Sequence, residues 1–420
     1  MEEWKEYIET PWGIIPQHWR LSTIKEETSI VTDYVANGSF ASLAENVKYK
    51  SEEDYAVLIR LVDFNNQYKG DFVFIDKDAY EFLGKSKLYG DEIIISNVGA
   101  NVGTVFKCPR LKYKMSLAPN SIMVKFKGNN DFYFYWLKSR YGQHMLHSIV
   151  TGSAQPKFNK TNFRDLVIPV PPINEQTHIA EIFKSLDDKI ETNRKINENL
   201  EAQAQALFKS WFVDFEPFSD GEFVESELGM IPKGWRVGTL SDITNITMGT
   251  SPAGSSYNTA GEGDVFYQGR AEFGFRFPHR NMYTTEAKRF ADVDSVLLSV
   301  RAPVGDINVA EENCCIGRGL ASIKSNEGYN SYVLYLMQSL KPVFDQFNGE
   351  GTVFGSINKK ALEDLMILVT PKDVRGKYEA IVSKIDGEIK MLEQESRRLA
   401  ELRDTLLPRL MSGELKVNEI

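Results

Sequence analysis

The stretch IAEIFKSLDDKIETNRKINENLEAQAQALFKSW (179–211) returns in the same frame as YEAIVSKIDGEIKMLEQESRRLAELRDTLLPRL (378–410), at a constant offset of 199 residues. In the first copy, alternating steps of four and three pick out Ile179, Phe183, Leu186, Ile190, Asn193, Asn197, Leu200, Ala204, Leu207 and Trp211. In the second they pick out Tyr378, Val382, Ile385, Ile389, Leu392, Ser396, Leu399, Arg403, Leu406 and Leu410. That spacing is the a/d seam of a coiled coil. It predicts two helices of about 35–40 residues, each on the order of 50–60 Å long. A period this long is no solenoid but a duplicated half-protein. Two such helices in one chain pack most simply antiparallel. In a mirrored register Asn193 faces Ser396 and Leu186 faces Arg403, and a polar layer then sets the register at some cost in stability.

The duplication reaches beyond the helices. TPWGIIPQHWRLSTI (10–24) matches SELGMIPKGWRVGTL (226–240) at an offset of 216. GDEIIISNVGANVGTV (90–105) resembles DSVLLSVRAPVGDI (294–307), each a short buried strand leading into a glycine-bearing turn. TGSAQPKFNKTNFRDLVIPVPP (151–172) resembles EGTVFGSINKKALEDLMILVTP (350–371), again 199 residues on. The fall in offset means that the second globular segment is the shorter. Each half reads as a Trp-Arg lead-in, a mixed segment, a proline-terminated strand and a long helix. Strands are expected at 92–96, 121–126 and 296–300, and helices at 132–141 and 332–339.

A chain of 420 residues accommodates two or three domains. Its start, MEEWKEYIETPW, is acidic and lacks a leader's apolar core, and no run approaches the roughly 20 apolar residues of a membrane span. Three cysteines (Cys108, Cys314, Cys315) make no disulfide framework, so a reducing cytoplasm is expected. Net charge is −9, yet it is unevenly spread. Residues 1–106 carry 10 basic and 18 acidic groups, whereas 107–164 carry 11 basic groups against Asp131 alone. That window has the charge of a phosphate-binding face, or of a solvated basic surface.

The strings PPINEQTHIAEIF (171–183), LFKSWFVDFEP (207–217), GMIPKGWRV (229–237) and LRDTLLPRLMSGEL (402–415) follow one another in this order. Together they resemble the specificity subunit of type I restriction–modification enzymes, over essentially the whole chain. The second helix departs from the Pro-Pro-x-x-Glu-Gln start of the first, with TPKDVRGKYEAI in its place. The resemblance implies a mixed α/β (α+β) fold with two target-recognition domains separated by two long antiparallel coiled-coil helices, related by a pseudo-two-fold repeat. The segments are then 1–172 and 223–371 for the recognition domains, 173–222 for the first spacer helix and linker, and 372–420 for the second helix and tail. Each domain would read one half of a split, asymmetric DNA site. The helices would set the gap and dock two methyltransferase subunits, with restriction subunits joining them.

No phosphate loop, dinucleotide fingerprint or amino-methyltransferase string occurs, and no metal-ligand set stands out around His144 and His147. Catalysis is therefore not expected of this chain. S-adenosylmethionine, ATP and magnesium are expected on the partners. The competing reading is a coiled-coil adaptor with two ligand-binding domains. Base readout needs Arg or Lys for guanine and Asn or Gln for adenine. Candidates in the first domain are Asn97, Asn101, Lys112, Lys114, Asn120, Gln155, Lys157, Asn159 and Lys160. In the second they are Arg270, Arg276, Arg280, Arg301 and Arg318, three of them in the aromatic-rich YQGRAEFGFRFPHR (267–280). Asn159-Lys160 recurs as Asn358-Lys359, which suits a structural or phosphate role better than specificity.

Overall fold

A computed structural model describes residues 7–10, 13–348 and 355–416. The acidic start (1–6), parts of two repeat strings (11–12 and 350–354) and the tail 417–420 lie outside the described residues. The two long helices run over Ile173–Phe212 and Lys372–Met411, 40 residues each. Both begin directly after proline, whose fixed φ suits a helix start. The carbonyls of Pro172 and Pro371 accept the first helical N–H groups, from Gln176 at 3.0 Å and from Val374 and Arg375 at 3.1 Å. The second helix closes on Gly413, which adopts a φ of +69°. A Cβ there would run into the Pro16 ring, so this turn requires glycine twice over.

The chain forms two compact units, Met1–Ile190 with Arg397–Ile420, and Glu191–Ser396. Each long helix thus contributes its two ends to different units.

In the first unit, Trp19 donates its backbone N–H to Pro16 O at 3.0 Å, turning the chain into Arg20–Thr23, which pairs antiparallel with Val167–Val170. An antiparallel sheet follows in the order Thr28–Asp33, Ser121–Phe126, Ile93–Ser96, Val105–Lys107. A second sheet has the order Val73–Ile75, Ala56–Ile59, Lys114–Leu117, Lys87–Leu88, with its central pair parallel. The expected helix at 132–141 is broken. Ser139 ends Asn130–Lys138 and caps Arg140–Ser148 through its hydroxyl, which accepts from Gly142 N. The tight corner between the two helices requires glycine: at Gly142 the second helix comes so close to Trp136 O that a side chain would collide.

The second unit repeats this plan. Trp235 N donates to Pro232 O at 3.1 Å, and Arg236–Thr239 pairs with Met366–Val369. Its first sheet has the order Thr244–Met248, Leu320–Ser325, Val296–Ser299, Ile307–Val309. The second again centres on a parallel pair, Asp264–Tyr267 with Cys314–Ile316. Where the first unit inserts the helices Phe40–Asn46, Leu61–Asn65 and Lys77–Phe82, the second has strands and short 3-10 turns, so the halves diverge here.

The helices pack antiparallel within each unit. In the second, the buried Asn193 amide donates to Glu395 Oε2 at 2.7 Å and Ser396 Oγ at 3.2 Å, and Tyr378 OH donates to Ala204 O at 3.1 Å. In the first, Leu186 and Leu406 pack onto the core that holds Ile179, Phe183 and Leu410. Arg403 reaches Asp187, the neighbour of Leu186, at 2.8 Å. The expected polar layer is thus present. Leu207 is partly buried and packs against its core as Leu186 and Leu406 do, while Ala204, Phe208 and Phe212, stepping by four, are the fully buried positions here. The heptad frame is lost there because the helix no longer faces only its partner helix. Phe208 and Phe212 turn into an aromatic cluster with Tyr332 and Tyr378.

Candidate nucleic-acid interface

In the first unit three loops are tied together at the end of Ile93–Ser96. Asn97 N donates to Asn120 O at 3.0 Å, Phe158 N to Asn97 O at 3.1 Å, and Gly99 N to Pro156 O at 2.8 Å. Val98 and Lys157 form an antiparallel bridge. This cluster gathers Asn97, Asn101, Asn120, Gln155, Lys157 and Asn159.

Within it the side chains divide. Asn97 spends its amide on Phe158 O at 3.0 Å, and Asn159 caps Lys160–Arg164 by accepting from Asn162 N at 2.8 Å. Both hold the loops. Asn101, Asn120, Gln155 and Lys157 are exposed. Lys160 is drawn aside by Asp33 at 3.0 Å. Lys112 and Lys114 are not in the cluster: Lys114 opens a strand of the other sheet beside Ala56, and Lys112 lies 3.6 Å from Glu53.

The basic window as a whole is less positive than its sequence. Lys107 pairs with the window's own Asp131, whereas Arg110 pairs with Asp91, Lys112 with Glu53 and Lys160 with Asp33, so the acidic 1–106 segment neutralises part of it.

The second unit builds the same loop cluster with the same backbone bonds. Val300 N donates to Gly319 O at 2.9 Å, Ile357 N to Val300 O at 3.1 Å, and Ala302 N to Gly355 O at 2.9 Å. Arg301 and Ser356 form the bridge that Val98 and Lys157 form in the first unit. Asn358 caps its short helix as Asn159 does. Arg301 and Arg318 are exposed here. Arg270 lies close by, held by Asp306 from the turn after Val296–Ser299. Arg280 is turned away towards Glu312 at 2.7 Å and Glu311 at 3.5 Å.

Arg276 has to be withdrawn as a reader of bases. It is 4% exposed, and its guanidinium is shared by Glu201 of the first helix, Asp386 of the second at 2.5 Å, and Tyr335 OH at 2.9 Å. Burial alone would lower its pKa. The Asp386 carboxylate beside it, with Glu201, outweighs that and raises it, so the group stays charged. The sequence reading missed its partners and their equivalents. Asp187 accepts from Tyr135 OH and Arg403 at 2.8 Å, as Asp386 accepts from Tyr335 OH and Arg276. The recurrence of Asp187 as Asp386 at the repeat offset was the available signal.

Among the described residues no group of three or more His, Cys, Asp or Glu could hold a metal ion, and no helix is long and apolar enough to cross a membrane. All three cysteines are free and buried, and burial raises the thiols of Cys108 and Cys314, the latter to about 12.

Duplicated sheets, two long helices and two loop clusters of one backbone but different side chains define an internally repeated scaffold with unlike presenting surfaces. Residues 33–202 and 232–401 each match the type I restriction modification DNA specificity domain, two matches offset by the same 199 residues as the helices. The chain belongs to that family. It is 30% identical to a putative type I restriction enzyme MjaX specificity subunit of Methanocaldococcus jannaschii, over 98% of this chain and 97% of the relative. It is 25% identical to the MjaIX specificity subunit of the same organism, over 99% and 98%. The S subunit of a type I restriction–modification system from M. genitalium shares the fold, with a TM-score of 0.55 at 17% identity over 93% of this chain and 96% of that one.

Proposed function

We propose that this chain reads a split, asymmetric DNA target, one half-site per recognition segment (1–172 and 223–371), as the specificity subunit of a type I restriction–modification complex. One observation carries this reading. The loop clusters share their backbone bonds, yet Val98 and Lys157 stand in one where Arg301 and Ser356 stand in the other. A common frame with exchanged side chains suits two different half-sites, as a two-fold dimer suits a palindrome. Arg301 and Arg318, and Asn120 and Gln155, are the side chains proposed to meet base edges, and Lys157 to meet phosphate. The two long helices are proposed to dock two methyltransferase subunits and, through them, the restriction subunits. S-adenosylmethionine, ATP and magnesium are assigned to those partners.

The test is to map methylated bases in the host genome with and without this gene. A two-part motif with unlike halves that vanishes on deletion is the expected result. An unchanged or continuous motif refutes the reading.

A further inference from the structure

The helix Phe40–Asn46 belongs to the region where the two units diverge. Ser39 starts it, its hydroxyl accepting from Ser42 N at 3.2 Å. Phe40, Leu43 and Val47, spaced by three and four, share one stripe. Leu43 and Val47 are buried in a core with Tyr34, Ala79 and Tyr80, as that spacing demands. Phe40 lies on the same stripe yet is 82% exposed, more than any other large apolar side chain among the described residues. The stripe therefore runs on past the chain's own core.

It runs into a cavity of about 580 Å³. Part of the lining is apolar: Tyr34, Val35, Phe40, Leu43, Val47 and Tyr49. The rest includes Asn97, Val98 and Asn120, which belong to the loop cluster of the first unit. Asp33 is the one carboxylate among the described lining residues, and Lys160 holds it at 3.0 Å. Lys157, exposed, is bridged to Val98. The cavity is thus continuous with the candidate nucleic-acid interface, and its lining carboxylate is already neutralised against a phosphate backbone.

The major-groove edge of a base pair consists of hydrogen-bond donors and acceptors except at one group, the C5 methyl of thymine. An apolar ring beside a base-reading loop therefore has one natural target. We propose that Phe40 is a specificity-determining residue of one half-site: its ring takes the methyl of a thymine beside the base edge that Asn120 meets. This rests on the DNA reading proposed above and adds a residue and a base to it. The second unit has strands and 3-10 turns in place of this helix, and its cluster presents Arg301 and Arg318, which suit guanine. The thymine contact therefore belongs to the first unit's half-site alone.

The test uses the complex purified from the host through the full chain, and duplexes of the mapped motif with uracil in place of thymine at one position at a time. Uracil lacks only the methyl group. At one thymine of one half-site the exchange should lower affinity about fourfold, the effect of leaving one methyl group unburied. In Phe40→Ala the thymine and uracil duplexes should bind alike, with the unfolding midpoint unchanged, whereas Arg301→Ala should keep the preference. Equal affinities throughout in the parent, or a preference that survives Phe40→Ala, overturn the inference and leave the split motif standing. So does loss of another polypeptide from the Phe40→Ala complex with the thymine preference intact, which would make this a protein contact. A continuous motif would instead remove the DNA reading itself, and this inference with it.

Discussion

Asp187 and Asp386 hold equivalent places in the two long helices and each accepts a tyrosine hydroxyl, Tyr135 or Tyr335. They differ in the cation. Asp187 is met by Arg403 from the opposing helix, in a pair still about a quarter to a third exposed, at 26% and 30%. Asp386 is met by Arg276 from the recognition segment, a buried cation shared with Glu201, both carboxylates being less than a fifth exposed. One half therefore ties helix to helix at this point, while the other ties helices to the loop-bearing domain. A duplicated frame can keep a node and change what the node connects.

The largest expected effect tests that contrast. Arg276→Met leaves two largely desolvated carboxylates without their cation and should cost about 3–5 kcal/mol in denaturant unfolding. Arg403→Met, at a more solvated pair, should cost about 1 kcal/mol or less. Equal costs would break the comparison.

At the loop clusters, Arg301→Ala should relax discrimination in one half-site only, by about 1–3 kcal/mol at the affected base pair. Lys157→Ala should weaken binding about equally on all sequences and reduce its salt dependence. Competition binding with half-site variants measures both. Loss of discrimination in both half-sites at once would contradict separate reading.

Next comes the polar layer. Asn193 is buried, and its Oδ1 has no hydrogen-bond partner among the described residues. Asn193→Leu should therefore raise unfolding stability by about 1 kcal/mol. A large loss instead would show that the layer holds the pair together and does not merely set its register.

The smallest effect concerns helix caps. Asn129 N donates to Gln176 in one half, whereas Ser331 and Tyr332 N donate to Glu379 in the other. Burial raises the Glu379 pKa above its ordinary value of 4.5. A carboxyl that is harder to ionise when folded contributes most stability at low pH, and loses it as pH rises through its folded pKa. Glu379→Gln should thus gain on the parent as pH rises above the ordinary carboxylate range, whereas Gln176→Glu should introduce the same pH dependence in the first half. Parallel pH profiles for parent and Glu379→Gln would remove the assignment.

The long helices, their antiparallel register and the repeated lead-ins were legible because they rest on local periodicity and on identity at a fixed offset. Asn193 opposite Ser396 followed from that frame once a mirrored antiparallel register was assumed. The site was less legible. In YQGRAEFGFRFPHR, Arg270, Arg276 and Arg280 look alike in sequence, yet one is buried and the other two are paired with carboxylates from distant turns. Lys112 and Lys114 shared a basic window with Lys157 but fold onto another sheet.

By itself, then, the sequence determined that the molecule is a half repeated and that each half ends in a long helix, because helix period and repeat offset are properties of the chain. Only the tertiary structure decided which charges remain available to a ligand. Ion pairing and burial depend on residues far apart in the chain, and no local pattern records them.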